Sequence, residues 1–234
     1  VDDIHRFCSD YYAGTQFDLS RTADAGDFGN VLSNYHNSLK KATREGVARP
    51  INMFRATYVQ ISQIKAYLPE EARCLVWMGW GAPSTTYLTP VFASATELPE
   101  HFGRGVRTEY DEKSGFWNTV NVQQLSTINY RSAIEDIKEV RDPKMASVYE
   151  QTAVAQEVAA SMINAGQKDL AVKYLTGYTA AVANDWFDTY QALGDKLLAK
   201  YMFGNVNMKV PARSDWWKNI VFETVSNNLR PEEV

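Results

Sequence analysis

The chain has 234 residues, of which 45% are hydrophobic and 22% charged. This excludes a disordered polymer and gives enough length to bury a substantial core. A formal net charge of −4, with Lys and Arg spread along the chain, argues against nucleic acid or an anionic membrane surface as the main partner. No apolar run reaches the roughly 18–20 residues of a membrane span. The start, Val1-Asp2-Asp3-Ile4-His5-Arg6, is neither a Met nor a secretory signal, so the chain is expected to be processed or cut from something longer.

In chain order, residues 4–12 suit a short helix, and the Gly-, Asp- and Thr-rich stretch 14–30 reads as an ordered loop. After Arg49 and Pro50, alternation through Ile51, Met53, Arg55, Thr57 and Val59 predicts a strand over 51–59, apolar on both faces. Cys74-Leu75-Val76-Trp77-Met78 and Thr86-Tyr87-Leu88-Thr89-Pro90-Val91-Phe92 are two more β-rich runs around the turn-forming Gly79-Trp80-Gly81-Ala82-Pro83-Ser84. Together they predict antiparallel sheet, with Leu68-Pro69-Glu70-Glu71 as the turn before the second strand.

After Ser114 the pattern is helical, with breaks expected at Asp142-Pro143 and Gly166. Val148, Thr152, Ala155, Ala159 and Met162 fall on one face, as do Leu175, Tyr178, Val182, Trp186, Leu193, Leu197 and Tyr201 of a last helix over 169–203. That helix is about 50 Å long at about 1.5 Å per residue, and such helices pack as an antiparallel pair. Gly204 supplies a left-handed stop, and Trp216-Trp217 stand in the tail. The expected division is 1–113 for loop and sheet, 114–210 for helices and 211–234 for the tail, an α+β organisation.

Few residue groups suggest chemistry by themselves. His5, His36 and His101 lack metal-ligand spacing, and Cys8 and Cys74 form no Cys-x-x-Cys pair. His5 and Cys8, three apart, would allow a thiolate–imidazole pair, although an incidental His and a half-buried Cys are the ordinary explanation. The Gly-x-Gly pieces do not lie between a strand and a helix, so nucleotide binding has no support, and Glu70-Glu71 and Glu232-Glu233 read as solvated turns and tails. Arg55 stands out: a cation within an apolar alternation must be paired or face a cleft. Its planar fork suits a carboxylate or an anionic intermediate; a structural salt bridge at a sheet edge is the alternative.

The stretch Asp10-Tyr11-Tyr12-Ala13-Gly14-Thr15-Gln16-Phe17-Asp18-Leu19, followed by Ala25-Gly26-Asp27-Phe28-Gly29-Asn30, resembles the "YEGT-x-(Y/F)-DL … AGPFGNP" segment of the N-terminal-nucleophile cysteine dipeptidases, a family that includes bacterial dipeptidase A and the secernins. Further pieces follow in the family's order. Arg49 to Tyr58 is similar to "RPIS-x-x-RT-x-Y", Gln63 to Pro69 to "Q-x-R-x-x-LP", Val76-Trp77 with Thr86 to Phe92 to "VLW … YTP", and Ser114 to Trp117 with Asn121 to "SA-x-W … N". The resemblance covers about 10–129. Lys65 stands where the family often has Arg, and Asp27 where it has Pro.

The resemblance implies part of a four-layer αββα sandwich with a helical extension of long antiparallel helices. It implies hydrolysis of dipeptides by an N-terminal Cys whose own α-amine is the base, without metal or organic cofactor. Residue 1 is Val, and neither Cys8 nor Cys74 is N-terminal, so the nucleophile is expected upstream and this chain alone is expected to be inactive. Arg55 is the local candidate for the arginine that supports the nucleophile. Expected partners are dipeptides, the missing N-terminal half, or a second copy that covers the same surface. Compartment stays open between cytoplasm and a secreted or periplasmic location. The alternative from a different class is a non-catalytic helical interaction module built on the long helices and Trp216-Trp217.

Overall fold

The structure is a computed structural model and describes residues 1–22, 25–32, 50–215 and 217–219. His36, Arg49, Trp216 and Glu232-Glu233 lie outside the described residues. Helix α1 (Asp2–Cys8) leads into turns and a 3-10 turn, Leu19–Arg21, so the expected ordered loop is present. Asp18 organises it by accepting the backbone N–H of Gly14 and of Ser20 and the Ser20 hydroxyl.

The sheet has three antiparallel strands in the order β1 (Tyr58–Ile64), β2 (Cys74–Trp80), β3 (Thr89–Phe92). Tyr58 lies opposite Trp80 and Ile64 opposite Cys74, while Leu75 lies opposite Phe92. Alternation buries Val59, Ile61, Leu75, Trp77 and Phe92 on one face. The other face leaves Tyr58 and Ile64 exposed and Cys74, Val76, Met78 and Val91 half-buried. Pro90, which has no N–H for a ladder, sits in the edge strand β3.

Three sequence expectations are corrected here. The strand over 51–59 begins only at Tyr58, because the buried Asn52 commits its amide to side-chain bonds and Ala56 N–H closes a turn on Met53 O. The strand predicted from Thr86 begins at Thr89; residues 81–88 form a buried connection. Glu70–Arg73 is a single helical turn and not an open turn.

The helical part comprises α2 (Gly115–Ser126), α3 (Tyr130–Asn164) and α4 (Lys168–Tyr201). The break expected at Asp142-Pro143 is absent, and α3 runs through Pro143. Pro143 and Glu139 four residues earlier both face solvent, where water can take up the freed carbonyl, while Ile137, Met145 and Val148 hold the flanks by burial. The break comes instead at the 3-10 turn Thr127–Asn129, where Asn129 caps α3 by accepting from Ser132 N–H.

Gly166, at φ 80°, turns the chain as expected. α3 and α4 then run antiparallel: Asp136 pairs with Lys200 at 2.7 Å, Lys144 with Asp185 at 2.7 Å, and the Thr152 and Tyr178 hydroxyls meet at 2.9 Å. Both predicted stripes face inward, with Val148, Ala155, Ala159, Leu175, Trp186, Leu193 and Leu197 buried. Helix α4 also covers β3, Thr179 donating to Pro90 O at 3.0 Å. Sheet and helices share one core, in which Tyr87 stacks on Trp186 at 4.6 Å. The molecule is α+β, a small antiparallel sheet with long helices, and no helix among the described residues is long and apolar enough to cross a membrane.

Candidate functional site

Residues 79–90 are buried without interruption. A buried connection is uncommon because its backbone groups must find partners away from water. Here side chains supply them. Gln123 of α2 accepts Ala82 N–H at 2.8 Å and donates to Phe54 O at 2.6 Å. Asn52 and Ser84 bond reciprocally, Asn52 Nδ2 to Ser84 Oγ at 2.9 Å and Ser84 N–H to Asn52 Oδ1 at 3.0 Å. Tyr190 donates to Thr85 O, and Arg141 Nη1 donates to Ser84 O and Thr86 O. Gly79 permits the close approach: a Cβ there would lie 2.0 Å from Tyr87 O.

The same bonds fix the turn that carries Arg55. Asn52 N–H donates to Asp10 O, Phe54 O is held by Gln123, and Gly81 N–H donates to Thr57 O. Arg55 itself is exposed on this rigid turn, its Cζ 6.0 Å from the centre of the Phe54 ring. It is not on the strand that the alternation suggested, and it does not line the cavities of about 730, 360 and 280 Å³ among the described residues. The arrangement offers a guanidinium on a backbone held from three directions, open to whatever approaches that surface.

Behind the buried connection, between α1 and α3, lies a cavity of about 730 Å³. His5 lines it and donates through Nε2 to Pro83 O at 2.9 Å. Burial, and then the nearby Arg141 charge, lower its pKa to about 4, so the ring is neutral around pH 7. With Nε2 committed to Pro83, no His5–Cys8 hydrogen bond forms among the described residues, and Cys8 and Cys74 are free and half-buried. His101 packs against Trp80, Phe102 and Phe187, with its pKa lowered by burial. Among the described residues no group of three His, Cys, Asp or Glu lies close enough to hold a metal ion. Glu71, on the helical turn before β2, pairs with Lys168 at the start of α4, a structural tie between the two. Asn52, Ser84, Gln123 and Arg141 escape sequence reading; the only signal is an isolated polar residue inside an apolar or turn-like run.

Residues 1–142 match the model of peptidase family C69. The chain belongs to that family. The matched span takes in α1, the whole sheet, the Arg55 turn, the buried connection and α3 as far as Arg141 and Asp142. Among curated family-like relatives, the chain is 22% identical over 183 residues to a protein named probable dipeptidase B of Lactococcus lactis subsp. lactis (strain IL1403), covering 78% of this chain and 36% of that protein. It is 22% identical over 162 residues to a protein named dipeptidase of Bifidobacterium longum (strain NCC 2705), covering 69% of this chain and 27% of that one. The match thus spans about a quarter to a third of the length of these relatives.

Proposed function

We propose that this family C69 chain is part of a dipeptidase of the N-terminal-nucleophile cysteine type, supplying one wall of the active site and a supporting arginine. The observation that carries the proposal is Arg55, exposed yet held on a turn whose flanking backbone is bonded by Asn52 and Gln123. Such a turn fixes the backbone from which the guanidinium reaches out, one part of the positioning that stabilising a developing oxyanion requires. Support for the reaction class comes from the family match and from two relatives named as dipeptidases. The half-buried apolar sheet face around Val76, Met78 and Val91 supports a second sheet lying over it, as in an αββα sandwich.

In the reaction, the thiol of an N-terminal Cys outside this chain attacks the dipeptide carbonyl while its α-amine takes the thiol proton. The tetrahedral intermediate breaks its C–N bond, the amine leaves with that proton, and water hydrolyses the thioester to release the second amino acid. Arg55 steadies the oxyanion of both tetrahedral steps. The helical interaction reading has less to stand on, since Trp186, Leu193 and Leu197 spend their apolar stripe inside the molecule. Arg55→Lys in the complete protein tests the proposal: turnover should fall at least about tenfold with the fold intact, because an ammonium does not reproduce the planar fork. Unchanged kcat would remove Arg55 from the reaction.

A further inference from the structure

Two side chains that line the cavity between α1 and α3 hold the buried connection and keep one nitrogen each unused. Residues 82–86 form a turn of helical type, Ala82 O accepting the N–H of Thr85 and of Thr86 at 3.1 Å, so the carbonyls of Pro83 and Ser84 project together. His5 of α1 bonds the first at 2.9 Å and Arg141 of α3 the second, which sets imidazole and guanidinium side by side. Because a carbonyl only accepts, the His5 proton is on Nε2, and Nδ1 of the neutral ring carries a lone pair. Nδ1 has no partner among the described residues. Neither has Nη2 of Arg141, whose Nε is committed to Asp142 and whose Nη1 is committed to Ser84 O and Thr86 O. Both side chains line the cavity, and neither of these two nitrogens is among the buried, unpartnered polar atoms of the described residues, so both stay within reach of what enters.

Charge around them is already matched or negative. The three cations of the lining are paired, Arg141 with Asp142 at 2.8 Å, Arg6 with Asp3 at 2.7 Å and Lys138 with Glu135 at 2.8 Å. Asp2, Asp10 and Glu150 add carboxylates to the lining, which disfavours an anion. What remains for a ligand is a donor, Nη2–H, next to an acceptor, Nδ1. A carboxylate would satisfy the first and set its charge against the lone pair of the second; an ammonium would satisfy the second and stand against Arg141. A trans peptide group points its N–H and C=O in opposite directions. A primary carboxamide carries an N–H on the same side as its C=O and meets both nitrogens at once. Ile134, Met145 and Ala146 give the cavity an apolar side for the group that the amide carries.

We infer that this cavity is a second binding site, separate from the Arg55 turn, for a primary carboxamide with an apolar substituent, its carbonyl accepting from Arg141 Nη2 and its N–H donating to His5 Nδ1. A volume of about 730 Å³ falls within the range of small-molecule sites. NMR of the imidazole nitrogens of the purified protein at neutral pH tests it, the His5 signals being those that disappear in His5→Gln. Isovaleramide should move the His5 Nδ1 resonance saturably. N-methylisovaleramide, which presents a trans amide, and isovalerate, which presents a charge and no donor, should each bind at least about tenfold more weakly. The readout is the ring inside the cavity, so it does not depend on any hydrolysis at the Arg55 turn.

Ala146→Phe fills the cavity from an exposed position on α3 and leaves both polar side chains in place. Its unliganded Tm should stay close to that of its parent, while isovaleramide affinity falls at least about tenfold. A His5 Nδ1 resonance that ignores isovaleramide, equal binding of the amide and either of its two analogues, or an Ala146→Phe protein that binds the amide like its parent would overturn the inference.

Discussion

Asn52, Ser84 and Gln123 together replace a strand ladder with side-chain bonds, and each is within 6% of full burial. Removing one leaves the backbone groups it satisfied stranded in the core. Gln123→Ala uncovers both Ala82 N–H and Phe54 O and should cost about 2–4 kcal/mol in denaturant unfolding, because an unsatisfied buried group costs about 1–3 kcal/mol. A loss below about 1 kcal/mol would show the connection to be held by packing instead. His5 gives a pH signature. Its folded pKa lies near 4, below the unfolded value of about 6.5, so the unfolded chain binds more protons between these values and stability falls as pH drops through that window. His5→Gln keeps an N–H for Pro83 O but does not titrate. The parent should therefore lose on the order of 2–3 kcal/mol more than the variant between pH 6.5 and 4. Parallel stability curves would contradict the burial of a neutral imidazole.

The helices were the most legible elements, because their stripes at three- and four-residue spacing are long and each must be buried. Trp186 is fully buried between Tyr87 and Tyr190, and Trp186→Ala should cost about 3–5 kcal/mol. A cost under about 1 kcal/mol would place the stripe on the wrong face. Boundaries set by a single residue were less legible. Pro143 reads as a stop, yet its solvent-facing position in a helix buried on both flanks makes the missing N–H tolerable, whereas the actual stop at Asn129 depends on a side-chain cap. The 51–59 run failed for a related reason: residues apolar on both parities fix no face, and Asn52 takes the backbone out of the ladder. Arg55 was singled out by its charge, but its place on a turn clamped by Gln123, distant in sequence, leaves no local pattern. Gly79→Ala probes the same buried connection from the strand side. With a Cβ only 2.0 Å from Tyr87 O, the change should destabilise the protein by more than the usual helix or strand glycine substitution, beyond about 1 kcal/mol. Unchanged stability would mean that residues 86–87 lie farther from β2.

At the scale of the whole molecule, one face of the sheet is covered by α4 and the rest of the core, while the other presents Val76, Met78, Val91 and the exposed Tyr58 and Ile64. Arg55 stands on a fixed turn that opens to the surface. The chain belongs to peptidase family C69, and its matches span 36% and 27% of the length of the two relatives named dipeptidases. The two cysteines are at positions 8 and 74, and neither has the free α-amine the proposed mechanism needs. The most direct measurement is dipeptide hydrolysis by residues 1–234 alone and after they are joined to an upstream segment with a mature N-terminal Cys. The account predicts no turnover by the chain alone and hydrolysis by the joined protein, abolished by iodoacetamide and indifferent to a chelator. Cleavage by the purified chain alone, or loss of the joined protein's activity to the chelator and not to the alkylating agent, would contradict it.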